Sequence, residues 1–199
     1  MRIYLNHVSH VEAWTQGGAI PISPASRYRS QDRKGVFTPD ENIIRHTDNN
    51  PDWAFYAPND GPVPIRVTGN ARVHFGNSVY VGGYGHGMAR LTGTFSQSFE
   101  DGLILSLSQK PVRKWIDEGK NACVEIVDLD RLIGVLNDAI GYKCTAQSVE
   151  YTKGIQRNHF LKSDEDAWQC EFRLFWAKSA PEVSWVMLPP GIGSQCEMY

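Results

Sequence analysis

The sequence has few of the features that mark membrane, secreted or zinc-binding proteins. No stretch approaches the roughly eighteen consecutive apolar residues of a membrane span, and the N-terminal MRIYLNHVSH lacks the charged-then-apolar build of a signal peptide. The four cysteines are scattered and form no C-x-x-C pair, which predicts reduced, mostly buried thiols. We therefore expect a cytoplasmic protein without a membrane partner.

The charge balance excludes a second class of function. The 199 residues contain 20 basic and 22 acidic side chains, which gives a formal net charge of -2. A chain without excess positive charge has no broad attraction for nucleic acid or anionic lipid, so we expect no general polyanion binding. With 41% hydrophobic residues, the chain is long enough for one well-filled core, and we predict a single domain over residues 1–199.

Alternating apolar and polar residues dominate the pattern and predict a mainly antiparallel α+β fold with a few peripheral helices. Strands are predicted at RIYL, GLILSLS, ACVEIVDLD, WQCEFRLFWAK and SWVML. Helices are predicted at VRKWIDEG, at DRLIGVLNDAIG and in VEAWTQGGAI, where Gly17 and Gly18 stop a short helix. Residues from about 21 to 64 are rich in Ser, Pro, Asp, Asn and Arg, which predicts a long irregular insertion. The glycine-rich VGGYGHG is interpreted as a hairpin or bulge, with His86 at its tip.

The stretch WQCEFRLFW carries polar groups at every second position. Side chains alternate between the faces of a strand, so Gln169, Glu171 and Arg173 are predicted on one face, opposite Trp168, Cys170, Phe172 and Leu174. Two interpretations follow. The polar face either meets water or lines a cleft in which Gln169 and Glu171 act.

Three separated motifs on predicted strands occur in a suggestive order: Arg2 in RIY, Ser106 and Ser108 in LILSLS, and Gln169 with Glu171 in WQCEF. In this order they resemble the three signature regions of ADP-ribosyltransferases of the Arg, Ser-x-Ser, (Glu or Gln)-x-Glu type. The resemblance implies a split sheet, NAD as the substrate without a metal, and an unidentified protein or nucleic-acid acceptor. In a variant of this activity, water takes the place of the acceptor and NAD is simply hydrolysed.

The resemblance assigns roles that the chemistry of each side chain supports. Glu171 would be catalytic, offsetting positive charge on the ribose as the bond to nicotinamide breaks, and Gln169 would position the acceptor's nucleophile. The guanidinium of Arg2 would hold the NAD pyrophosphate or its adjoining ribose. Ser106 would orient Glu171 and contact the ribose, and Ser108 completes the cofactor-binding motif.

The chain departs from the family pattern at several places. Leu107 occupies the middle of the Ser-x-Ser motif, where the family usually has threonine. Because Arg2 is almost at the terminus, a neighbouring arginine could hold the phosphates instead; the candidates are Arg27, Arg29 and Arg33. The family selects its acceptor with the loop before the last motif, here about IQRNHFLKSDEDA.

The N-terminal histidines do not predict a metal site. His7 and His10 form H-x-x-H and are followed by Glu12, but they lack the H-E-x-x-H spacing of helical zinc sites.

The alternative to catalysis is a non-catalytic binding protein, for example a phage or mobile-element factor that occupies a host protein through its long 21–64 region.

Overall fold

The chain divides into two compact units, Met1–Asn42 with Glu100–Tyr199, and Ile43–Phe99. The computed structural model describes residues 1–28, 101–154, 157–178 and 182–198 in full and, between residues 43 and 98, the backbone of strands only. The single domain stays a prediction. Most of the predicted 21–64 insertion, and with it the alternative binding surface, lies outside the described residues.

The described elements follow in chain order. The strands are β1 (Arg2–Leu5), β2 (Gly18–Pro24), β3 (Ile43–Asp48), β4 (Ala54–Ala57), β5 (Ala71–Phe75), β6 (Val79–Gly83), β7 (His86–Arg90), β8 (Gly93–Ser98), β9 (Leu103–Ser108), β10 (Ala122–Ile126), β11 (Thr145–Ser148), β12 (Glu150–Thr152), β13 (Leu161–Ser163), β14 (Glu171–Trp176), β15 (Ser184–Leu188) and β16 (Gly193–Cys196). The α-helices are α1 (Val11–Thr15), α2 (Lys114–Asp117) and α3 (Leu129–Ile140). The 3₁₀ helices cover Val8–His10, Ala25–Tyr28 and Asp164–Gln169.

The first unit is built on an eight-stranded sheet, and the predicted α+β class is confirmed. Its main path is β11-β14-β9-β1-β10-β16, with β2 pairing both β9 and β15. All of these pairs are antiparallel, whereas β12 and β13 form a separate parallel pair. The predicted strands at RIYL and GLILSLS are β1 and β9, and both are confirmed.

The second unit contains two three-stranded antiparallel sheets, β3-β8-β5 and β4-β7-β6. The predicted hairpin at VGGYGHG is formed by β6 and β7, where Gly83 lies opposite His86. Strands β3 and β4 fall within the region that composition predicts to be irregular. Sequence composition missed these strands because polar and turn-forming residues dilute their apolar pattern.

The hydrophobic core lies on one face of the large sheet. Leucines of β9 and the apolar residues of β14 share this core with the buried side of α3; they are Leu103, Leu105, Leu107, Leu174, Trp176, Leu132, Leu136 and Ile140. The indole Nε1 of Trp176 also donates to Asn137 Oδ1 at 2.9 Å. Fully burying one such side chain contributes about 1.5–3 kcal/mol. The core therefore holds β9 and β14 rigidly, with their other face turned away from α3.

Helix α3 matches its sequence prediction because both of its ends are marked. The Asp128 carboxylate accepts from Arg131 N at 2.9 Å at the first turn. Gly141 follows the last turn with φ of 77°, a left-handed conformation that glycine adopts without strain.

The predicted strand WQCEFRLFWAK is wrong over its first three residues. Residues Asp164–Gln169 form a 3₁₀ helix, Cys170 adopts a left-handed φ of 46°, and β14 begins only at Glu171. The Ser163 hydroxyl caps the helix by accepting from Glu165 N at 3.4 Å. Gln169 therefore does not share a strand face with Glu171.

Two glycines allow a test of the packing. Gly134→Ala in α3 should raise the free energy of unfolding by about 0.5–1 kcal/mol, because a Cβ there meets no atom within 4 Å and alanine is the better helix former. Gly102→Ala should lower it by about 1–3 kcal/mol, because its Cβ would overlap Trp176 O and lie 2.6 Å from the Phe175 ring. Urea unfolding measures both changes. Shifts in the same direction would contradict this packing.

Candidate functional site

The large sheet splits along one edge of β9. The edge towards β14 is paired throughout, from Leu103 opposite Trp176 to Ser108 opposite Glu171. On the other edge, β1 pairs only at Ser108 and β2 only at Leu103 and Ile104. No described strand pairs with residues 105–107 on this edge, so β1 and β2 diverge there. We call this gap the fork.

The backbone of Ser106 points into the fork. Gln109 N donates to Cys170 O at 2.8 Å. Backbone groups of successive strand residues point to opposite edges, so the N–H and C=O groups of odd-numbered β9 residues bond to β14. Those of even-numbered residues point to the other edge. Continuing the β2 register from Ser23 opposite Ile104 would place Pro21 opposite Ser106. Proline has no N–H to donate, so β2 cannot complete the ladder with the Ser106 carbonyl.

A cavity of about 570 Å³ lies at the fork. Pockets that bind small molecules have volumes of roughly 300–1,000 Å³. Its walls include the polar side chains of three neighbouring strands, namely Arg2, Tyr4, Ser106, Ser108, Glu171 and Arg173. The fork therefore encloses enough space for a nucleotide-sized ligand.

The register brings the three sequence motifs together on one face. Arg2 lies directly opposite Ser108, and Ser108 lies directly opposite Glu171, so the three form a row across β1, β9 and β14. Ser106 and Arg173 form the next row on the same face. Directly opposed residues in a sheet have Cβ atoms about 4.5–5.5 Å apart. Segments that are distant in sequence thus supply one continuous polar surface.

Glu171 is held between two cations. Its Oε2 accepts from Arg173 Nε at 2.7 Å, and its Oε1 lies 3.4 Å from Lys162 Nζ. Glu171 is 6% exposed, Arg173 is 3% exposed and Lys162 is 4% exposed. This polar face is therefore buried beside a cavity, and it is not the solvated surface that one interpretation of WQCEFRLFW predicts. Two buried cations fix the carboxylate in one position.

Gln169 lies behind Glu171. Its Oε1 accepts from Lys162 Nζ at 2.7 Å, and Asp166 Oδ2 lies 3.8 Å from the same ammonium group. Gln169 is not among the residues that line the cavity. The structure thus places it where it can orient Lys162, and its catalytic role stays a prediction.

The two serines differ in their surroundings. Ser108 is buried, and its hydroxyl lies 2.9 Å from the carbonyl oxygens of both Lys110 and Gln169. This contact ties β9 to the turn that precedes Glu171. Ser106 is half-buried and lines the cavity, so its hydroxyl is the better placed of the two for a ligand.

Positive charge dominates the cavity wall. Among the described residues of the wall, the formal cations are Arg2, Arg27, Lys120 and Arg173, and Glu171 supplies the one carboxylate. Burial lowers the pKa of Lys120, whose Nζ donates to Asn6 Oδ1 at 2.8 Å. This excess of cations suits an anionic ligand such as a phosphate ester. Of the alternative phosphate-binding residues, Arg27 lies on the wall, and Arg29 and Arg33 lie outside the described residues.

Tyrosines complete the polar wall. The Tyr4 hydroxyl accepts from Val112 N at 2.9 Å and shares a hydrogen bond with Arg2, which orients the guanidinium. Burial raises the pKa of Tyr28, which also lines the cavity beside the charges of Arg173 and Arg27. Tyr28 therefore stays a neutral phenol, with a hydroxyl that can both donate and accept.

The side chains of the two N-terminal histidines contact each other. The rings of His7 and His10 pack edge-to-face with centroids 5.3 Å apart. Within the described part of the chain, no group of three or more His, Cys, Asp or Glu side chains could hold a metal ion.

Two members of the buried charge network, Lys162 and Asp166, are not recognisable as site residues from the sequence. They belong to the segment that the resemblance assigns to acceptor selection, and the structure places them against Glu171 instead. Their i, i+4 spacing is visible in the sequence, but it is also common on solvent-exposed helices. Burial, which distinguishes the two cases, cannot be read from spacing.

Comparison of the chain with protein-family models, with curated proteins and with solved structures gives no match. The resemblance to ADP-ribosyltransferases therefore rests on the three motifs. In the residues that the structure describes, no helix combines the length and apolar character needed to cross a membrane.

Proposed function

We propose that this chain binds NAD in the fork cavity and breaks its bond to nicotinamide, passing ADP-ribose to a protein or nucleic-acid acceptor in the cytoplasm, or to water. One observation carries the proposal: Arg2, Ser108 and Glu171, taken from three separate motifs, form a direct cross-strand row on the wall of one cavity. The cationic wall supports it, because the NAD pyrophosphate carries two negative charges at neutral pH.

The chemistry assigns a task to each group. When the glycosidic bond breaks, its electron pair leaves with neutral nicotinamide, and the ribose becomes positively charged. The Glu171 carboxylate, fixed by Arg173 and Lys162, offsets this charge. Arg2 and Arg27 hold the pyrophosphate, and the Ser106 hydroxyl binds the ribose. The acceptor's nucleophile then bonds to the ribose carbon, and its proton passes to solvent.

NAD binding is tested by thermal unfolding. NAD at about one hundred times its dissociation constant should stabilise the protein by about 2.7 kcal/mol and raise its melting temperature by roughly 5–10 °C. Arg2→Gln should lose most of this rise, because the pyrophosphate loses a guanidinium partner. The control Arg113→Gln changes an exposed arginine that is not part of the cavity wall and should keep the rise. A wild-type melting temperature that millimolar NAD leaves unchanged would refute the proposal.

A further inference from the structure

Two cysteines lie directly opposite each other at the far edge of the large sheet. Cys123 of β10 is paired with Cys196 of β16, and their Sγ atoms are 2.7 Å apart. Both are free thiols. They are 73 residues apart in sequence, so the sheet register alone brings them together.

The backbone at this pair suits a covalent bridge. Val127 N donates to Ile192 O at 3.1 Å, so these two opposed residues form a hydrogen-bonded pair. Hydrogen-bonded pairs recur at every second residue of an antiparallel ladder, so Cys123 and Cys196 also occupy such a position. Such positions hold Cα atoms about 5.5 Å apart. Disulfides span Cα separations of about 4.4–6.8 Å, so the separation typical of this position lies within the range that a bridge can span.

We propose that Cys123 and Cys196 are a modification site, at which exchange with a small-molecule disulfide such as oxidised glutathione closes a reversible intramolecular disulfide. The Cys196 thiolate attacks one sulfur of glutathione disulfide, forms a mixed disulfide and releases one glutathione thiolate. The Cys123 thiolate then attacks the Cys196 sulfur and releases the second glutathione. The two protons lost by the protein thiols pass to the two glutathione thiolates, so two protein thiols and one glutathione disulfide give one protein disulfide and two glutathiones.

The order of these steps follows from burial. Cys123 is 0% exposed, and burial raises the pKa of its thiol, whereas Cys196 is partly exposed. A reagent in solution therefore meets Cys196 first, and Cys123 is positioned to resolve the mixed disulfide.

The bridge would also join the last strand to the cavity wall. Cys123 lies opposite Tyr4 in the register of β1 and β10, and Tyr4 holds Arg2 in the cavity. The edge strand β16 would thus be tied covalently to the strand that supports this wall. The inference does not depend on the ligand being NAD.

The test uses a Cys144→Ser/Cys170→Ser parent, so that only the paired cysteines react. After incubation with oxidised glutathione, intact-mass measurement should show a product two hydrogen atoms lighter that carries no glutathione. Peptide mapping should join Cys123 to Cys196, and dithiothreitol should restore the original mass. Because the bridge closes a long loop, the oxidised chain should melt about 5–10 °C above the reduced chain.

Two variants of this parent identify the steps. Cys123→Ser should retain one glutathione on Cys196, because the resolving thiol is gone. Cys196→Ser should remain unmodified, because Cys123 is buried. A parent that keeps glutathione on Cys196, forms linked dimers or does not react would overturn the proposal. These readouts contain no NAD, so their failure leaves the proposed function standing.

Discussion

Glu171→Gln should lower the rate of nicotinamide release from NAD by about 100-fold or more, while NAD binding persists. Glutamine keeps the shape of the side chain and an oxygen that can accept from Arg173 Nε, but it removes the negative charge. Loss of one group that stabilises transition-state charge typically costs about 10²–10³ in rate. The ground state of NAD carries little of the positive charge that Glu171 meets later, so binding should change much less.

Nicotinamide release, followed by chromatography with a panel of protein and nucleic-acid acceptors, measures this effect. Glu150→Gln is the matched control, since it neutralises an exposed glutamate at the start of β12 and should release nicotinamide like the wild type. Circular dichroism checks that Glu171→Gln is folded, and the rise of its melting temperature with NAD checks that it binds NAD. Equal release by Glu171→Gln and the wild type would refute the assignment of Glu171, and no release from either would refute NAD cleavage.

Arg173→Met should lower the free energy of unfolding by about 3–5 kcal/mol. Arg173 Nε donates to Glu171 at 2.7 Å, and its Nη1 donates to His159 O at 2.8 Å, with both charged side chains buried. Once the guanidinium is removed, the described residues leave Glu171 with the longer contact of 3.4 Å to Lys162 Nζ. Removing one partner of a buried ion pair costs far more than losing a surface ion pair.

Urea unfolding at neutral pH measures this change. Arg113→Met removes an exposed arginine next to α2 and should shift the free energy of unfolding by no more than about 0.5 kcal/mol. The double variant Arg173→Met/Glu171→Met removes both partners and should recover much of the loss, because apolar groups of similar size replace the pair. If Arg173→Met and Arg113→Met were equally stable, the buried network would not stabilise the fold.

The parts of the fold that could be predicted are those set by short-range pattern. Helix α3 was recognisable because Asp128 and Gly141 mark its ends and its apolar residues recur at helical spacing. The predicted alternation of polar and apolar faces is correct from Glu171 onward, where β14 begins. The prediction is wrong at Gln169, because Ser163 caps a 3₁₀ helix that continues to this residue. Strand propensity alone would assign the same residues to β14.

The candidate site could be predicted only as a set of residue types. The order along the chain indicates the motifs that contain Arg2, Ser106 with Ser108, and Glu171. The adjacency of Arg2, Ser108 and Glu171 depends on the pairing of β1, β9 and β14, which a single sequence does not determine. The buried partner Lys162 left no recognisable signal, because lysine is usually exposed. Its position follows from the parallel pairing of β12 with β13, a contact that local pattern does not encode.

Pro21 gives the fork a mechanical property. Two neighbouring strands ordinarily extend their hydrogen-bonded ladder, because each new pair of amide and carbonyl groups stabilises the next. Continuing the β2 register would bring Pro21 opposite Ser106, and because proline has no N–H, the ladder between β2 and β9 cannot extend to this position. A ligand can then enter the cavity without breaking hydrogen bonds between strands. The sheet can therefore be rigid and still admit a ligand.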